Sequence, residues 1–290
     1  MDLPSNSLLP LFAYGVFRPG ELGFLRIKPF VQAVTPAATP GCLLIRDGLP
    51  LLNQESDGQV VRGTLLQFVP ESAGQAYYRI VELEPDYQYK WSIAKVQFDK
   101  GNVQDANVLV GTDLSNGTVV PDSPEWNGRA DPTFKEGLEV VAKIIPSQLQ
   151  SGAPDFALLF QLQMAYLLLW SILERYTSLR YHLAGEAMGK VQNLAQEPAF
   201  DRALRREVKG QRTIYRVDNP ANEKKVKLSP SGSAKKALEY YYQVRCNVTH
   251  RGKGAGRDIE TMYLSTRELL AITREVIAAA FEDAQWHGAP

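Results

Sequence analysis

The hydrophobic pattern of the chain changes about halfway along its length. Up to residue 145, short apolar or alternating runs are separated by clusters of Gly, Pro, Asp and Asn, as is typical of strands joined by turns. The stretch from Thr112 to Pro132 is rich in turn-forming residues and predicts a long loop. The predicted strands are Leu11–Tyr14, Val60–Val69, Trp91–Phe98 and Glu139–Ile145.

A long helix is predicted to start after Asp155, whose carboxylate can accept the free N–H groups of a first helical turn. The apolar run Phe156–Leu173 is nearly long enough to cross a bilayer. Gln161, Gln163 and Ser171 interrupt it, which favours the buried helix of a bundle over a membrane span.

The rest of the chain also predicts mainly helices. Two short runs around an Asp-Asn-Pro turn, within "RTIYRVDNPANEKKVKLS", predict a β-hairpin insert. We therefore expect an α+β protein with an N-terminal domain over 1–146, a linker over 147–154 and a helical domain over 155–290. The further predicted helices are Glu186–Asn193, Ala199–Val208, Ser233–His250 and Asp258–Ala284.

Composition and charge narrow the possible chemistry. The two cysteines are far apart and the three histidines form no ligand motif, so we expect no disulfide, metal or cofactor. No signal peptide opens the chain, and we expect a cytoplasmic protein that does not enter membranes. The net charge is zero, yet residues 201–257 hold 15 Lys and Arg against 5 Asp and Glu. That concentration of positive charge favours a polyanionic partner, and RNA is the partner we expect. A solvated helix face is the alternative.

Three N-terminal motifs belong together. "FAYGVFRPG" is a strand that runs into a turn, "VRGTLLQF" is a strand entered through Gly63, and "VELEPDYQYKW" places Glu84 before a proline and a tyrosine. Together they resemble the γ-glutamyl cyclotransferase-like fold, a small mixed β-barrel with helices. The resemblance covers about the first 145 residues.

This resemblance implies a catalytic carboxylate and a substrate-binding loop. In that family a glutamate moves the proton of the substrate α-amino group as this group attacks its own γ-carbonyl, and Glu84 matches it in position. Glu82 or Asp86 could take that place instead, and the pocket could bind or sense a ligand without turnover. Val16-Phe17 departs from the usual small or hydroxyl residue followed by Leu. The matching substrate-binding positions are Tyr14, Gly15, Val16, Arg18 and Tyr89.

A second motif, "ALEYYYQVRCNVTHRGKG", ends the predicted helix at 233–250. Its Arg245, Asn247 and His250 in a helical setting resemble HEPN domains of the Apea-like kind. Cys246 stands where Ser or Asn is common in that family.

The resemblance to HEPN domains implies metal-independent RNA cleavage. His250 would act as acid or base, Arg245 would hold the phosphate and Asn247 would orient the ribose or phosphate. Positions five apart lie about 140° around a helix, so Arg245 and His250 do not share a face. The helix must therefore end near His250, or two chains must combine, and the family implies a homodimer through the helical domain. The residues expected to add RNA contacts are Lys224, Lys225, Lys227, Arg251 and Lys253.

Three functions follow from these motifs. The first is a HEPN-type endoribonuclease of the toxin or defence kind, with a regulatory or sensing N-terminal domain that binds a small γ-glutamyl-like or other ligand. The second is a γ-glutamyl cyclotransferase that releases 5-oxoproline, with an accessory helical domain. The third is an adaptor that binds RNA or nucleotides without cleaving them.

Overall fold

The fold is described from a computed structural model of the 290-residue chain. Its described residues are 1–56, 59–84, 87–120, 125–149, 155–181, 189, 191–215, 225–251 and 258–288, with the backbone alone at 100, 250 and 251. Unit 1 contains Met1–Asp131, Ser178–Gly185 and Ala280–Pro290, and unit 2 contains Pro132–Thr177 and Glu186–Ala279. The domain boundaries inferred from the sequence stay predictions.

A closed five-stranded barrel forms the centre of unit 1, with the strand order β1-β5-β2-β6-β7. Its neighbouring strands pair antiparallel except where β1 meets β7 in parallel at Leu11 and Asn107. The barrel strands are β1 (Leu11–Ala13), β2 (Val31–Pro40), β5 (Val60–Phe68), β6 (Tyr89–Phe98) and β7 (Asn102–Gly111).

Alternating side chains explain why β6 forms part of this barrel. Ala94 and Val96 are buried, whereas Lys95 and Gln97 are exposed, which is the period of two expected for a strand with one face on a core. Gly63 in β5 allows close approach to β1, because a Cβ atom there would lie 2.4 Å from the Ala13 carbonyl oxygen. The predicted strands at Leu11, Val60 and Trp91 are thus confirmed.

A smaller sheet and two α-helices accompany the barrel in unit 1, together with short 3-10 helices. In the sheet, β3 (Cys42–Arg46) lies between β4 (Leu49–Asn53) and β8 (Thr118–Val119). Of the helices, α1 (Phe24–Ile27) is short, and α2 (Ala73–Leu83) buries Ala73, Ala76, Tyr77, Ile80 and Leu83.

The predicted strand at Glu139–Ile145 is wrong. This segment belongs to helix α3 (Pro132–Ile144), which buries Phe134, Leu138 and Val141. Spacings of four and three residues place these three side chains on one helical face, and the short apolar run at 139–145 does not by itself distinguish that period from a strand.

Unit 2 consists of helices and one β-hairpin in its described part. The helices are α3, α4 (Phe156–Arg180), α5 (Pro198–Glu207), α6 (Ala234–Arg251) and α7 (Asp258–Asp283). The last residues of α4 and of α7 belong to unit 1. The predicted hairpin is confirmed, with β9 (Arg212–Tyr215) antiparallel to β10 (Lys225–Leu228). The predicted helix at 186–193 falls largely outside the described residues, and Gln192–Gln196 forms a 3-10 helix.

Helix α4 begins as predicted. The Asp155 carboxylate accepts a hydrogen bond from the Leu158 N–H at 2.9 Å. The helix is long and apolar enough to cross a membrane by length and composition, with a mean hydropathy of 1.8 in its most apolar window. Its largest inward side chains, Tyr166, Trp170 and Tyr176, are almost fully buried inside the protein.

A buried ion pair fastens the hairpin to the helices of unit 2. The Arg212 guanidinium of β9 donates two hydrogen bonds to the Glu268 carboxylate of α7. The Tyr241 hydroxyl of α6 donates a third at 2.9 Å. One carboxylate thereby joins three elements, and its charge is balanced by the arginine.

Candidate functional site

Arg245 and Asn247 lie on α6 but turn to different surroundings. The Arg245 guanidinium carbon lies 5.9 Å from the centre of the Tyr242 ring. Within the described part of the chain, no carboxylate pairs with this guanidinium. Asn247 instead accepts a hydrogen bond from the Gln243 amide at 3.0 Å and donates one to the Tyr215 carbonyl oxygen at 3.1 Å.

Asn247 also lines a pocket, together with side chains from α4, β9 and α7 such as Gln163, Thr213 and Asp258. Arg245 is not among the lining residues. Lys224 and Lys253 lie outside the described residues, and so do the side chains of His250 and Arg251. Within one chain, the structure therefore does not bring Arg245 and Asn247 together.

Two predicted RNA-binding lysines fall on β10. Lys225 and Lys227 are exposed on alternate positions of this strand. The Lys225 ammonium lies 5.2 Å from the centre of the half-exposed Tyr215 ring. The hairpin therefore presents an aromatic ring and positive charge on the surface of unit 2.

The best-formed candidate site is a small cavity in unit 1. It lies where β1 ends and the chain turns, next to β4 and to the end of α2. The only ionisable carboxyl group among its lining residues is that of Glu84. The lining residues are Leu11, Phe12, Ala13, Tyr14, Gly15, Val16, Phe17, Pro50, Glu84, Tyr89 and Leu109.

Tyr14 fixes the start of the loop that borders this cavity. Its hydroxyl donates a hydrogen bond to the Leu109 carbonyl oxygen at 2.7 Å and accepts one from the Leu52 N–H at 3.1 Å. Burial raises the pKa of this hydroxyl well above its ordinary value, so the group stays protonated. Tyr14 thereby joins the loop to strands β7 and β4.

The opposite wall is Pro50 of β4, and the two walls are very close. A Cβ atom at Gly15 would lie 2.5 Å from Pro50 Cγ, so only glycine fits at this point of the loop. The Tyr89 hydroxyl donates a hydrogen bond to the Pro50 carbonyl oxygen at 2.9 Å and holds this wall in place.

The loop also offers buried backbone donors. Val16 and Phe17 are each 4% exposed and line the cavity. Within the described residues, their backbone N–H groups donate to no acceptor. Buried N–H groups are nearly always paired in folded proteins, so two unpaired ones beside a cavity indicate a place for an anionic or carbonyl oxygen.

Glu84 brings an acid to the same cavity. It follows the last residue of α2, where its N–H still bonds to the Ile80 carbonyl oxygen but its ψ of 132° ends the helix. The side chain is 6% exposed, and Oε2 is buried with no hydrogen-bond partner among the described residues. Burial raises the pKa of the Glu84 carboxyl to about 8. The cavity thus contains an acid that is mostly protonated at neutral pH.

Five of the six residues predicted for this site lie together, namely Tyr14, Gly15, Val16, Glu84 and Tyr89. Arg18 does not line the cavity: its guanidinium bonds to the Trp126 carbonyl oxygen and to the Glu125 carboxylate.

Of the alternative acids, Glu82 points elsewhere. Its carboxylate bonds to Arg26 and Arg79. Asp86 lies outside the described residues. Glu84 is therefore the acid that the described structure places at the cavity.

Comparison with known proteins gives structural likenesses of low overall similarity. No protein-family model and no curated protein matches the chain. An AIG2-like protein from Mus musculus has a TM-score of 0.34 at 13% identity over 41% of this chain and 88% of its own. Uncharacterized protein PH0828 from Pyrococcus horikoshii has a TM-score of 0.31 at 16% identity over 39% and 85%. YkqA from Bacillus subtilis has a TM-score of 0.34 at 15% identity over 82% and 73%.

The sequence did not point to Pro50, Leu52 or Leu109 as parts of the site. They reach it through strand pairing far from the motif, which no local pattern reports. Helix α2, which positions Glu84, was missed as well. Its apolar residues Ala73, Ala76, Tyr77, Ile80 and Leu83 recur at three- and four-residue spacings, and that signal could have revealed it.

Proposed function

We propose that unit 1 catalyses an internal acyl transfer of the γ-glutamyl cyclotransferase type. The substrate is a γ-glutamyl amide, and the products are 5-oxoproline and a free amine. The observation that supports this proposal is the buried Glu84 carboxyl, which faces a cavity with no partner for Oε2. A buried acid kept without a partner weakens the fold and is typical of a catalytic group.

The reaction needs one proton to move between two nitrogens. The α-amino nitrogen of the substrate attacks the γ-carbonyl carbon and forms the new C–N bond of the ring. Glu84 takes the proton from this nitrogen and delivers it to the leaving amine as the old C–N bond breaks. The Val16 and Phe17 N–H groups are the donors that can stabilise negative charge on substrate oxygen.

The pKa of Glu84 suits this transfer. Burial raises it to about 8, and an α-amino group has a pKa of about 8 in peptides. Because the two values are close, moving the proton in either direction takes little free energy. A carboxylate with an ordinary pKa would be a weaker base and would take the proton from the attacking nitrogen less readily.

Release of 5-oxoproline tests the proposal. The purified full chain is incubated with γ-glutamyl amino acids, γ-glutamyl amines and glutathione, and 5-oxoproline is quantified. The Glu84→Gln variant should lose about 10²–10⁴-fold in rate, since an acid–base group is removed. Glu82→Gln is the matched control and should keep its activity, because Glu82 is outside the cavity. Equal rates in wild type and Glu84→Gln would refute the proposal.

Ligand binding without turnover would support a narrower version, in which the cavity senses a γ-glutamyl-like compound. Calorimetry with a γ-glutamyl amide separates the two versions. Binding that Gly15→Ala abolishes, with no 5-oxoproline formed, would identify a sensor.

RNA cleavage by unit 2 is the second candidate function. The observation that favours it is the unpaired Arg245 guanidinium in a stretch of strongly positive charge. We propose that Arg245 holds a phosphate and that His250 acts as acid or base, as HEPN-type endoribonucleases imply. The site would be completed in a homodimer, and we retain a cytoplasmic location as part of this hypothesis.

Cleavage of tRNA and single-stranded RNA in the presence of EDTA tests this candidate. Loss of cleavage in both Arg245→Ala and His250→Ala supports it, and undiminished cleavage in either variant contradicts it. RNA binding without cleavage, weakened by substitution of Lys225 and Lys227, would favour the adaptor instead. Sedimentation of the full chain reports the dimer.

A further inference from the structure

The loop that borders the Glu84 cavity, residues 14–17, is held in place by hydrogen bonds between the residues that follow it and the 125–130 segment. The Arg18 guanidinium, one residue beyond Phe17, donates a hydrogen bond to the Trp126 carbonyl oxygen at 2.7 Å. In return, both oxygens of the Glu21 carboxylate accept the Gly128 N–H, at 3.1 and 3.2 Å. Neither Trp126 nor Gly128 lines the cavity, so this segment acts on it through the elements to which it is bonded.

The same segment also reaches the opposite wall. The Trp126 indole N–H donates to the Gly48 carbonyl oxygen at 3.3 Å. Gly48 is in the turn between β3 and β4, two residues before Pro50. One short segment is thereby bonded to both walls of the cavity, the loop on one side and the β3–β4 turn on the other.

Glycine is required at the centre of this arrangement. A Cβ atom at Gly128 would lie 2.4 Å from the Glu21 Oε2 atom and 2.6 Å from the Trp126 ring. Glu21 itself is 7% exposed and Trp126 is 8% exposed, so neither can move aside into solvent. Contact of this kind fixes the spacing between the loop and the 125–130 segment.

We propose that Glu21 and Gly128 are positioning residues of the Glu84 site: their bond holds the Val16 and Phe17 N–H groups in register with Glu84 and Pro50. This proposal rests on the proposed function of unit 1. Neither residue touches the substrate. Their effect comes from the loop, where a displacement of about 1 Å in a reacting group can lower a rate by roughly 100-fold.

The Glu21 carboxylate also makes this bond sensitive to pH. Burial raises the pKa of Glu21 to about 7, although the Gly128 N–H, Arg18 and Arg129 all favour its ionised form, and Glu125 opposes it. Above that pH the carboxylate is charged and accepts the Gly128 N–H strongly. Below it the acid is neutral and the bond weakens, because a hydrogen bond to a charged acceptor is about twice as strong.

The pH profile of kcat/KM distinguishes a positioning role from a merely structural one. In the wild type two groups, Glu84 and Glu21, must both be ionised in the free enzyme, so log kcat/KM should rise with a slope of about two below pH 7. Glu21→Gln keeps an acceptor oxygen but cannot titrate, so its slope should be about one over the same range. A slope of one in both proteins would overturn the proposal.

Two further variants test the geometry. Gly128→Ala and Glu21→Ala should each lower kcat/KM at pH 8 by at least about 10-fold, and Glu21→Gln, which is neutral like the protonated acid, should fall to a similar level. Gly74→Ala and Glu71→Gln are the matched controls, because Gly74 has open space around it and Glu71 is exposed. Activity in Gly128→Ala equal to that of Gly74→Ala would overturn the proposal.

A separate measurement keeps this inference apart from the proposed activity. If the wild type forms no 5-oxoproline, the proposed function fails, and hydrogen–deuterium exchange then tests the positioning alone. Peptides that cover residues 14–17 should exchange about 10-fold faster in Gly128→Ala than in Gly74→Ala at the same pH. Equal exchange in the two variants would refute the positioning role as well.

Discussion

Two of the buried glutamates, one in each unit, are buried to the same depth and have opposite surroundings. Glu84 in unit 1 and Glu268 in unit 2 are both 6% exposed. Glu268 accepts two hydrogen bonds from Arg212 and one from Tyr241. Glu84 faces a cavity, and its Oε2 has no partner among the described residues. Burial alone therefore does not separate these two acids, whereas their hydrogen-bond partners do.

The physical reason lies in what each arrangement does to stability. A buried carboxylate with a bidentate arginine has its charge balanced, so the pair holds β9 against α6 and α7. A buried carboxyl with no partner must stay protonated or weaken the fold when it ionises. Glu84 contributes nothing to the fold that an apolar side chain could not, and this is why we assign it a chemical role.

The largest effect that we expect is the loss of stability in Glu268→Gln. This change removes the negative charge and leaves Arg212 buried without compensation, which should destabilise unit 2 by roughly 3 kcal/mol. Hydrogen exchange of peptides from α6 and α7 measures the local free energy of opening. Glu239→Gln on the exposed face of α6 is the control. A change below about 1 kcal/mol in Glu268→Gln would remove the contrast between the two acids.

Glu84→Gln should raise the stability of unit 1, whereas Glu268→Gln lowers that of unit 2. The pKa of Glu84 is raised to about 8 in the folded chain, against about 4.3 in an unfolded one. The unfolded chain therefore binds fewer protons between these values, and the wild type loses stability as the pH rises from about 5 to 8. After allowance for the buried amide, Glu84→Gln should stabilise unit 1 by about 2 kcal/mol at pH 8.

Urea unfolding followed by exchange in unit 1, at pH 5 and pH 8, measures this gain. The variant should be somewhat less stable than the wild type at pH 5 and more stable than it at pH 8, with Glu71→Gln as the control. A smaller decline with pH should remain in Glu84→Gln, because burial also raises the pKa of Glu21 to about 7. Destabilisation at pH 8 would mean that Glu84 is a structural acid like Glu268.

Local patterns in the sequence predicted those helices and strands that are determined by residues close together in the chain. The apolar run Phe156–Leu173 and the Asp155 cap predicted α4, and the Asp-Asn-Pro turn predicted the hairpin of β9 and β10. Tyr14 and Glu84 were placed at one site by resemblance, and the structure brings them to one cavity.

The rest of the site depends on contacts between distant parts of the chain. Glu21 and Gly128 are 107 residues apart, and only the folded barrel brings them together. Arg18 was expected at the substrate, but the same segment draws its guanidinium to the Trp126 carbonyl oxygen. Glu139–Ile145 was read as a strand because a short apolar run does not distinguish the two periods.

The next effect concerns the walls of the Glu84 cavity. Gly15→Ala places a methyl group 2.5 Å from Pro50 Cγ, and a proline ring in a strand cannot move aside. The variant should lose about 1–3 kcal/mol in unit 1, as is usual for overpacking. Gly74→Ala is the control and should be neutral or slightly stabilising, because its site in α2 is open. The midpoints of thermal unfolding compare the two variants. Equal midpoints would show that Pro50 moves to make room for the methyl group.

The smallest changes in stability are expected for substitutions of Asn247 and Arg245, the two motif residues of α6. Asn247 links Gln243 to the Tyr215 carbonyl oxygen, so Asn247→Ala should destabilise the hairpin by about 1 kcal/mol. Arg245 is half-buried and only faces the Tyr242 ring, so Arg245→Ala should change stability by less than about 0.5 kcal/mol. Hydrogen exchange of β9 and β10 measures both. A large loss of stability in Arg245→Ala would make Arg245 a structural residue like Arg212, and unit 2 would then have no described cation free to hold a phosphate at the predicted motif.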